Sequence, residues 1–348
     1  MSVSLAAPPL RFPHPEPPAP GGMVDVALGI RWLRLALPFQ LDHVNIYLLA
    51  DGSRDGRPGW AVLDTGIADR PTRAVWEQIS RSHRLTRLIG THFHPDHIGL
   101  AGWMCETFDL PLAMSRTEYL FSQNLRHNPD ALGSAAHRAF YLRHGLGVAA
   151  TEAVMTRGHA YLGMTTGLPP EFAGLVAGET LQVGSRCFDI LTGGGHAPEQ
   201  VMLHDRAAGI FLAADQVLAR ISPNIGVWPW EPLADPLGAY LRSLAALRDA
   251  VPDDVLVLPA HNLPFYGLHQ RLGELEDHHA QRCDAIATAC DTPRTATEIL
   301  PVLFHRPLDD HQTGFAFSEV LAHLNLMVRA GSLRRLPVVD GVERFVRA

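Results

Sequence analysis

The chain has 348 residues, of which 47% are hydrophobic and 19% charged, so it can form a sizeable core and is too apolar for wholesale disorder. The formal net charge is −7 and all 29 basic residues are arginines, which excludes Schiff-base chemistry on a lysine. This acidic balance also disfavours a nucleic-acid partner, because binding to a polyanion depends on a basic face.

Residues 1–24 are rich in proline, and we interpret them as a flexible arm. They lack the basic start and the continuous apolar stretch of a secretory signal. No run in the chain reaches the roughly 20 apolar residues that a membrane span requires, and the four cysteines form no regular framework. We therefore expect a cytoplasmic protein with no membrane partner.

After the arm, strand and helix patterns alternate. The stretches "HVNIYLLADG" and "GWAVLDTG" are typical of strands, "PTRAVWEQISRS" of a helix, and "RLTRLIGTHFH" of another strand. This βαβ order of elements favours functional groups at the carboxyl ends of the strands. From about residue 114 to 175 the pattern turns helical, which predicts an inserted lid or pocket wall.

Strand patterns return after the insertion and end near residue 270, so we expect the main domain to span residues 25–270. From residue 271 to 348 three helical segments precede a short hairpin with Asp340 and Gly341 at its turn. That order predicts a winged-helix-like appendage. It has 9 Arg against 11 Asp and Glu, a net charge of 9 − 11 = −2, which disfavours nucleic-acid binding. We expect it to pack against the main domain or to form a homodimer contact.

The stretch "THFHPDHIGL" places four metal-ligating side chains in six positions at the end of a predicted strand. His92 and His94 share one side of an extended segment, because side chains alternate there with period two. Asp96 and His97 follow a proline and can face a second position close by. Imidazole and carboxylate are ordinary zinc ligands, with iron or manganese as alternatives.

This stretch resembles the His-x-His-x-Asp-His motif of the metallo-β-lactamase superfamily, and the resemblance extends over about residues 29–267. It implies an α+β fold, a four-layer αβ/βα sandwich with the helical insertion and the C-terminal appendage added to it. It also implies four functional positions outside the motif: Asp64 in "LDTG", His196 in "TGGGH", Asp215 in "AADQ" and His261 in "PAHN".

The resemblance implies two divalent metal ions, most simply zinc. One ion would be held by His92, His94 and His196, the other by Asp96, His97 and His261, with Asp215 between them and Asp64 supporting the ligand loop from behind. In such a site two cations acidify a water molecule, and the resulting hydroxide attacks a carbonyl. Asp96 would orient the nucleophile and pass a proton to the leaving group.

We therefore expect a metal-dependent hydrolase of a small thioester, ester or lactone. Trp228 and Trp230 follow Asp215, and Tyr266 follows His261, which suggests an aromatic pocket wall beside the metals. The resemblance is to the glyoxalase II-like and lactamase-beta-2-like subgroups, the second of which includes single-stranded RNA endonucleases. A one-iron persulfide dioxygenase and a non-catalytic metal-binding sensor are further alternatives.

Overall fold

A computed structural model describes residues 9–52, 57–158 and 160–348 of the chain. Residues 1–8 of the expected flexible arm lie outside the described residues. The described part of the arm lies along the main domain: Arg11 and Tyr266 exchange two backbone hydrogen bonds of 3.2 and 2.9 Å, and Leu10 and Phe12 pack against the core.

The first of two large sheets is built from the N-terminal part of the chain. Its strands, in both chain and spatial order, are β1 (Met23–Ala27), β2 (Ile30–Ala36), β3 (His43–Gly52), β4 (Pro58–Leu63), β5 (Leu85–Ile89), β6 (Leu112–Met114) and β7 (Ala173–Gly174). The pairs β1–β2, β2–β3 and β3–β4 are antiparallel, and the pairs β4–β5, β5–β6 and β6–β7 are parallel. The parallel crossovers carry α1 (Arg70–Ser80), α2 (Pro95–Ile98) and α3 (Ala101–Phe108).

The second sheet follows the insertion. Its strands are β8 (Thr180–Val183), β9 (Arg186–Gly193), β10 (Gln200–Asp205), β11 (Ile210–Ala214) and β12 (Leu256–Pro259), in the spatial order β12-β11-β10-β9-β8. Only β11 and β12 are parallel neighbours. The crossover between them is α9 (Pro236–Ala250), whose N-cap Asp235 accepts a hydrogen bond from the Gly238 amide.

The two sheets pack face to face and each is covered by helices, which confirms the expected four-layer sandwich. Adjacent residues of β2 show the alternation: Trp32 belongs to the core between the sheets, whereas Leu33 packs under the helices of the first sheet. Trp76 of α1 covers that outer face. On the other side, Tyr240 of α9 covers Phe211 of the second sheet.

The predicted insertion is helical in the described residues. Between β6 and β7 lie α4 (Arg116–His127), α5 (Pro129–Leu132), α6 (Ala135–Arg143), α7 (Val148–Gly158) and α8 (Ala160–Gly163). Its Phe140 and Tyr141 belong to the same apolar cluster as α9, so the insertion packs against the second sheet's side of the sandwich.

The C-terminal elements are α10 (Leu268–Ala289), α11 (Ala296–Leu303), α12 (Asp310–Arg329), β13 (Leu333–Arg335) and β14 (Phe345–Arg347). The last two strands form a separate antiparallel pair. One continuous apolar cluster joins these elements to α9, through residues such as Ile286, Phe317 and Phe345. The boundary expected at residue 270 falls inside the first turn of α10. No described helix is both long and apolar enough to cross a bilayer.

A buried carboxylate ties the insertion to the C-terminal strands. Glu343 is 1% exposed; its Oε1 accepts a hydrogen bond of 3.2 Å from Arg143, and its Oε2 lies 3.4 Å from His144 and 3.5 Å from Arg335. Burial raises the pKa of Glu343, but the contact with His144 and the charge of Arg335 outweigh it, so the pKa lies below its ordinary value of 4.5. The charged form therefore stabilises the fold.

We expect Glu343→Gln to reduce the free energy of unfolding by about 2 kcal/mol, because it removes a charge-assisted hydrogen bond from a buried site. Because the folded pKa is lowered, this stabilisation is present above pH 4.5 and is lost as the pH falls through the lowered pKa. Denaturant titrations at neutral and acidic pH measure it. The control is Glu152→Gln, whose carboxylate pairs with Arg138 on the surface. Equal losses in both variants at neutral pH would contradict this role.

Candidate metal centre

The predicted ligands meet at one edge of the sandwich, because each follows the carboxyl end of a strand. His92 follows β5, His196 follows β9, Asp215 follows β11 and His261 follows β12. A backbone hydrogen bond connects the two sheets there: the amide of Val201 in β10 donates to the carbonyl of Thr91, which follows β5, at 2.9 Å. Residues from both sheets can therefore face one point.

His92, His94 and His196 form a first-metal group. The inward atoms are Nε2 of His92, Nδ1 of His94 and Nε2 of His196, with neighbouring nitrogens 2.9 and 3.0 Å apart. Burial lowers the pKa of His94 to about 3, with a further contribution from His196, and burial together with the neighbouring histidines holds the pKa of His92 well below its ordinary value. Neutral imidazoles with converging lone pairs are what a metal ion requires.

Hydrogen bonds behind this group orient two of its rings. The Thr91 hydroxyl donates to Asp64 at 2.8 Å, so it accepts from Nδ1 of His92 at 2.9 Å. Nδ1 of His196 donates to the Asn224 carbonyl at 2.9 Å. In both residues the remaining nitrogen, Nε2, keeps its lone pair toward the centre.

Asp96, His97 and His261 form a second-metal group, also with ligand atoms within 4.8 Å of one another. Oδ2 of Asp96 lies 3.6 Å from Nε2 of His97 and 3.5 Å from Nε2 of His261. Nδ1 of His261 donates to the His43 carbonyl at 2.8 Å, and Nδ1 of His97 donates to Asp64 at 2.8 Å. Asp96 and His97 lie on α2, one turn beyond the first two histidines.

Asp215 lies between the two groups. Its Oδ2 is 3.2 Å from Nε2 of His196 and 3.5 Å from Nε2 of His97, while its Oδ1 is 3.4 Å from Nε2 of His261. One carboxylate thus faces ligands of both groups. The structure brings together all seven residues that the resemblance implied as ligands.

The chemistry of these donors fits bound cations. Nε2 of His97 and Oδ1 of Asp215 are buried and make no hydrogen bond, an arrangement that costs about 1–3 kcal/mol per group unless a ligand satisfies it. Burial lowers the pKa of His261, but Asp215 and Asp96 outweigh it and raise the pKa to about 10. Burial alone would raise the pKa of Asp215, but the positive charges of His261 and His97 hold it well below its ordinary value. The carboxylates of Asp96 and Asp215 therefore stabilise positive charge between them.

Asp64 lies behind both groups and does not face the centre. It is 2% exposed, accepts hydrogen bonds from the amide and hydroxyl of Thr91 at 2.8 Å, and holds His97. Its φ of 65° is in the left-handed region, as is that of Ala214 (46°) before Asp215 and of Asn262 (68°) after His261. Asparagine tolerates this conformation well, so the chain can turn at Asn262 directly after His261.

A cavity of about 310 Å³ opens beside His196. Its aromatic lining comes from the ligand loop, the insertion and the loop after Asp215: Phe93, Phe121, Trp228 and Trp230. The two indole rings stack with centroids 5.6 Å apart. Tyr266, which we expected in this wall, does not line the cavity. Its ring lies 4.0 Å below the Arg11 guanidinium, because its backbone pairs with the N-terminal segment.

Apart from Asp64, sequence reasoning missed the groups that orient the ligands. Thr91 directly precedes the motif and could have been considered as a partner for Asp64, but the carbonyls of His43 and Asn224 carry no side-chain signal. A further cluster, His278, His279 and Glu319, has ligand atoms within 4.8 Å of one another. Arg282 donates to the Glu319 carboxylate and already neutralises it, so we assign no metal there.

Sequence profiles of known families cover most of the chain. The profile described as "Metallo-beta-lactamase superfamily" matches residues 40–261, and the profile described as "Metallo-beta-lactamase-like, C-terminal domain" matches residues 283–348. No protein of curated function matches the sequence.

Solved structures extend the similarity to nearly the whole chain. A beta-lactamase domain protein from Burkholderia ambifaria is 39% identical, with 97% of this chain and 98% of that chain covered and a TM-score of 0.89. A metallo-beta-lactamase family protein from Thermus thermophilus is 28% identical, covering 93% and 100%, with a TM-score of 0.78. A stereoselective inverting sec-alkylsulfatase from Pseudomonas sp. shares the fold alone, at 14% identity, 87% and 49% coverage and a TM-score of 0.54.

We expect Gly195→Ala to displace His196 and to reduce metal binding. Gly195 has a φ of 108°, and an added Cβ would lie 2.5 Å from the Tyr240 side chain and 2.7 Å from the Pro236 carbonyl. Gly194→Ala is the matched control, since its Cβ would meet nothing closer than 3.5 Å. The strained conformation should destabilise Gly195→Ala by about 1–3 kcal/mol. Denaturant unfolding measures this loss of stability, and the zinc content of the purified variant measures the loss of metal binding. Equal zinc content and stability in the two variants would refute this explanation of the glycine.

Proposed function

This chain belongs to the metallo-beta-lactamase superfamily, and on that basis we propose that it is a binuclear zinc hydrolase of small, uncharged thioesters, esters or lactones. The observation that carries the proposal is the convergence of two three-residue ligand groups on the shared carboxylate of Asp215. Histidine-rich donors with carboxylates suit zinc, and iron or manganese would accept the same set.

Bound at these atoms, divalent cations supply Lewis acidity toward water and a carbonyl oxygen. The residues around them have separate tasks. Asp96 has a side chain 20% exposed, against 7% for Asp215 and 3% for Asp64. Its Oδ2 faces His97 and His261, which leaves Oδ1 to take a proton from water and return it to the leaving group. Asp215 and Asp64 are too enclosed for that exchange.

The cavity favours an uncharged substrate with an apolar or aromatic acyl part. Of the described residues that line it, none is arginine, and two are acidic, Glu231 and Asp235. Sulfate and phosphate groups would meet like charge there without a basic side chain to bind them. The stacked indoles of Trp228 and Trp230 offer flat apolar surface instead.

An RNA endonuclease is the second candidate, and the burial of α12 argues against it. Residues 316–325 of that helix are all buried, so the third helix of the appendage presents no groove-reading face. The net charge of the appendage is also negative, whereas RNA binding depends on a basic surface. We propose that this winged-helix-like unit packs against the hydrolase domain, and homodimer formation stays a prediction.

A one-iron dioxygenase and a non-catalytic sensor are weaker proposals. A single ion in the first-metal group would leave the buried imidazoles of His97 and His261 without a metal ion to bind. A sensor would not need an aromatic cavity open beside the metals.

We expect zinc-loaded protein to hydrolyse uncharged aryl and acyl thioesters, esters or lactones, and to leave phosphodiesters and single-stranded RNA intact. Asp96→Asn should lower kcat by about 10²–10⁴-fold, because general acid–base transfer contributes that much. Asp25→Asn, which alters a surface ion pair with Arg31, is the control. Turnover of RNA alone would replace the proposal with the endonuclease, and no turnover on any compound would favour the sensor.

Trp230→Ala should raise KM for aromatic acyl substrates about tenfold, equivalent to about 1.4 kcal/mol of binding free energy, and leave acetyl substrates nearly unchanged. The physical reason is loss of a stacking surface at the cavity mouth. Leu233→Ala is the control, since this neighbour is 61% exposed and does not line the cavity. A change that is equal for aromatic and acetyl substrates would show that the indole does not contact the acyl group.

A further inference from the structure

Phe93 separates the first two metal ligands, and the insertion holds its backbone from both sides. Its amide donates to Oε2 of Glu118 at 2.9 Å, and its carbonyl accepts from the hydroxyl of Tyr161 at 2.9 Å. Glu118 lies on α4 and Tyr161 on α8, the first and last helices of the insertion. The peptide groups that link His92 to His94 are therefore bound by side chains distant in sequence.

The second oxygen of Glu118 reaches the other loop of the first-metal group. Oε1 accepts from the amide of Glu199 at 2.6 Å, three residues after His196. Ser115, the N-cap of α4, donates from its hydroxyl to the Glu199 carbonyl at 2.9 Å. One carboxylate thus connects the loop of His92 and His94 with the loop of His196.

The Glu118 carboxylate that makes these bonds is buried. Glu118 is fully buried, and Phe93 packs with Leu125 and Ala197 in a small cluster of its own. Burial raises the pKa of Glu118 to about 7, against the lowering effect of the two amide donors. An amide left without its acceptor beside this buried carboxylate therefore costs free energy.

We propose that Glu118 and Tyr161 are positioning residues for the first metal, so that the insertion sets the spacing of His92, His94 and His196 as well as covering the cavity. This inference rests on the proposed metal centre. Neither residue has a hydrogen bond to a metal-ligand side chain among the described contacts; Glu118 acts through the backbone of Phe93 and Glu199, and Tyr161 acts through the backbone of Phe93. The second-metal group has no hydrogen bond to either residue, so the two metal sites should respond differently when the connection is broken.

Glu118→Gln tests the connection with little change in shape. A glutamine has one acceptor oxygen, so its amide nitrogen must oppose the N–H of either Phe93 or Glu199. Tyr161→Phe removes a single donor and leaves the Phe93 carbonyl unpaired. The matched control is Glu199→Gln. It makes the same chemical change in the loop that follows His196, but it keeps the backbone amide of residue 199 that Glu118 binds.

Zinc affinity is measured by chelator competition at each site separately. The first site is isolated in a His261→Ala background and the second in a His94→Ala background. We expect Glu118→Gln and Tyr161→Phe to weaken zinc binding at the first site by about 10–100-fold and to change the second less than twofold, with Glu199→Gln like the parent. Unchanged first-site affinity, or equal losses at both sites, would overturn the proposal.

Amide hydrogen exchange of metal-free protein gives a readout that needs no metal. The Phe93 and Glu199 amides should both exchange slowly in the wild type and in Glu199→Gln, and at least one of them should exchange at least tenfold faster in Glu118→Gln, whose single acceptor oxygen cannot serve both. If the wild type failed to bind two metals, the proposed function would fall, while this exchange experiment would still decide whether Glu118 fixes the loops. Equal exchange in all three proteins would overturn the proposal.

Discussion

Hydrogen bonds from behind hold four imidazoles of this centre so that Nε2 of each ring faces inward. Asp64 and Thr91 fix His97 and His92, and the carbonyls of Asn224 and His43 fix His196 and His261. Without these bonds the rings would be free to rotate, and their outer nitrogens would be buried polar atoms without partners, which is expensive. The remaining structure supplies the rigid positions from which those partners act.

Rigidity comes from the two sheets. The strands that carry the ligands end at one edge of the sandwich, and the core between the sheets holds that edge in place through residues such as Trp32 and Phe188. Backbone conformations that are unfavourable for ordinary residues occur directly beside the ligands, at Asp64, Ala214 and Asn262. Asp64 and Asn262 tolerate this conformation, whereas at Ala214 it is strained, and such strain persists only where surrounding packing over-determines the chain.

Much of this could be predicted from sequence. The spacing of His92, His94, Asp96 and His97 predicted a metal site at the end of a strand, and the resemblance to the metallo-β-lactamase superfamily implied the three later donors. What failed depended on contacts between distant segments. Tyr266 follows a ligand closely, yet its ring lies under Arg11, since the N-terminal segment pairs with its backbone. No local pattern indicates that pairing.

Glu118 shows a different limit. The spacing Ser115-x-x-Glu118 is the pattern of a capping box, and the same spacing at Thr295 and Glu298 does form one. At Ser115 only half of it forms: the hydroxyl accepts from the Glu118 amide, but the carboxylate turns away to the Phe93 and Glu199 amides. The same spacing thus leads to a complete helix cap in one place and to a bridge between the Phe93 and Glu199 amides in another, and only the tertiary fold separates them.

The central claim is that two cations share Asp215 between two three-residue groups. Anomalous X-ray diffraction from zinc-loaded crystals, recorded above and below the zinc edge, tests it most directly. The account predicts two peaks about 3.5–4 Å apart, one bounded by His92, His94 and His196 and the other by Asp96, His97 and His261. A single peak at full zinc loading, or peaks that lie away from these seven side chains, would contradict it.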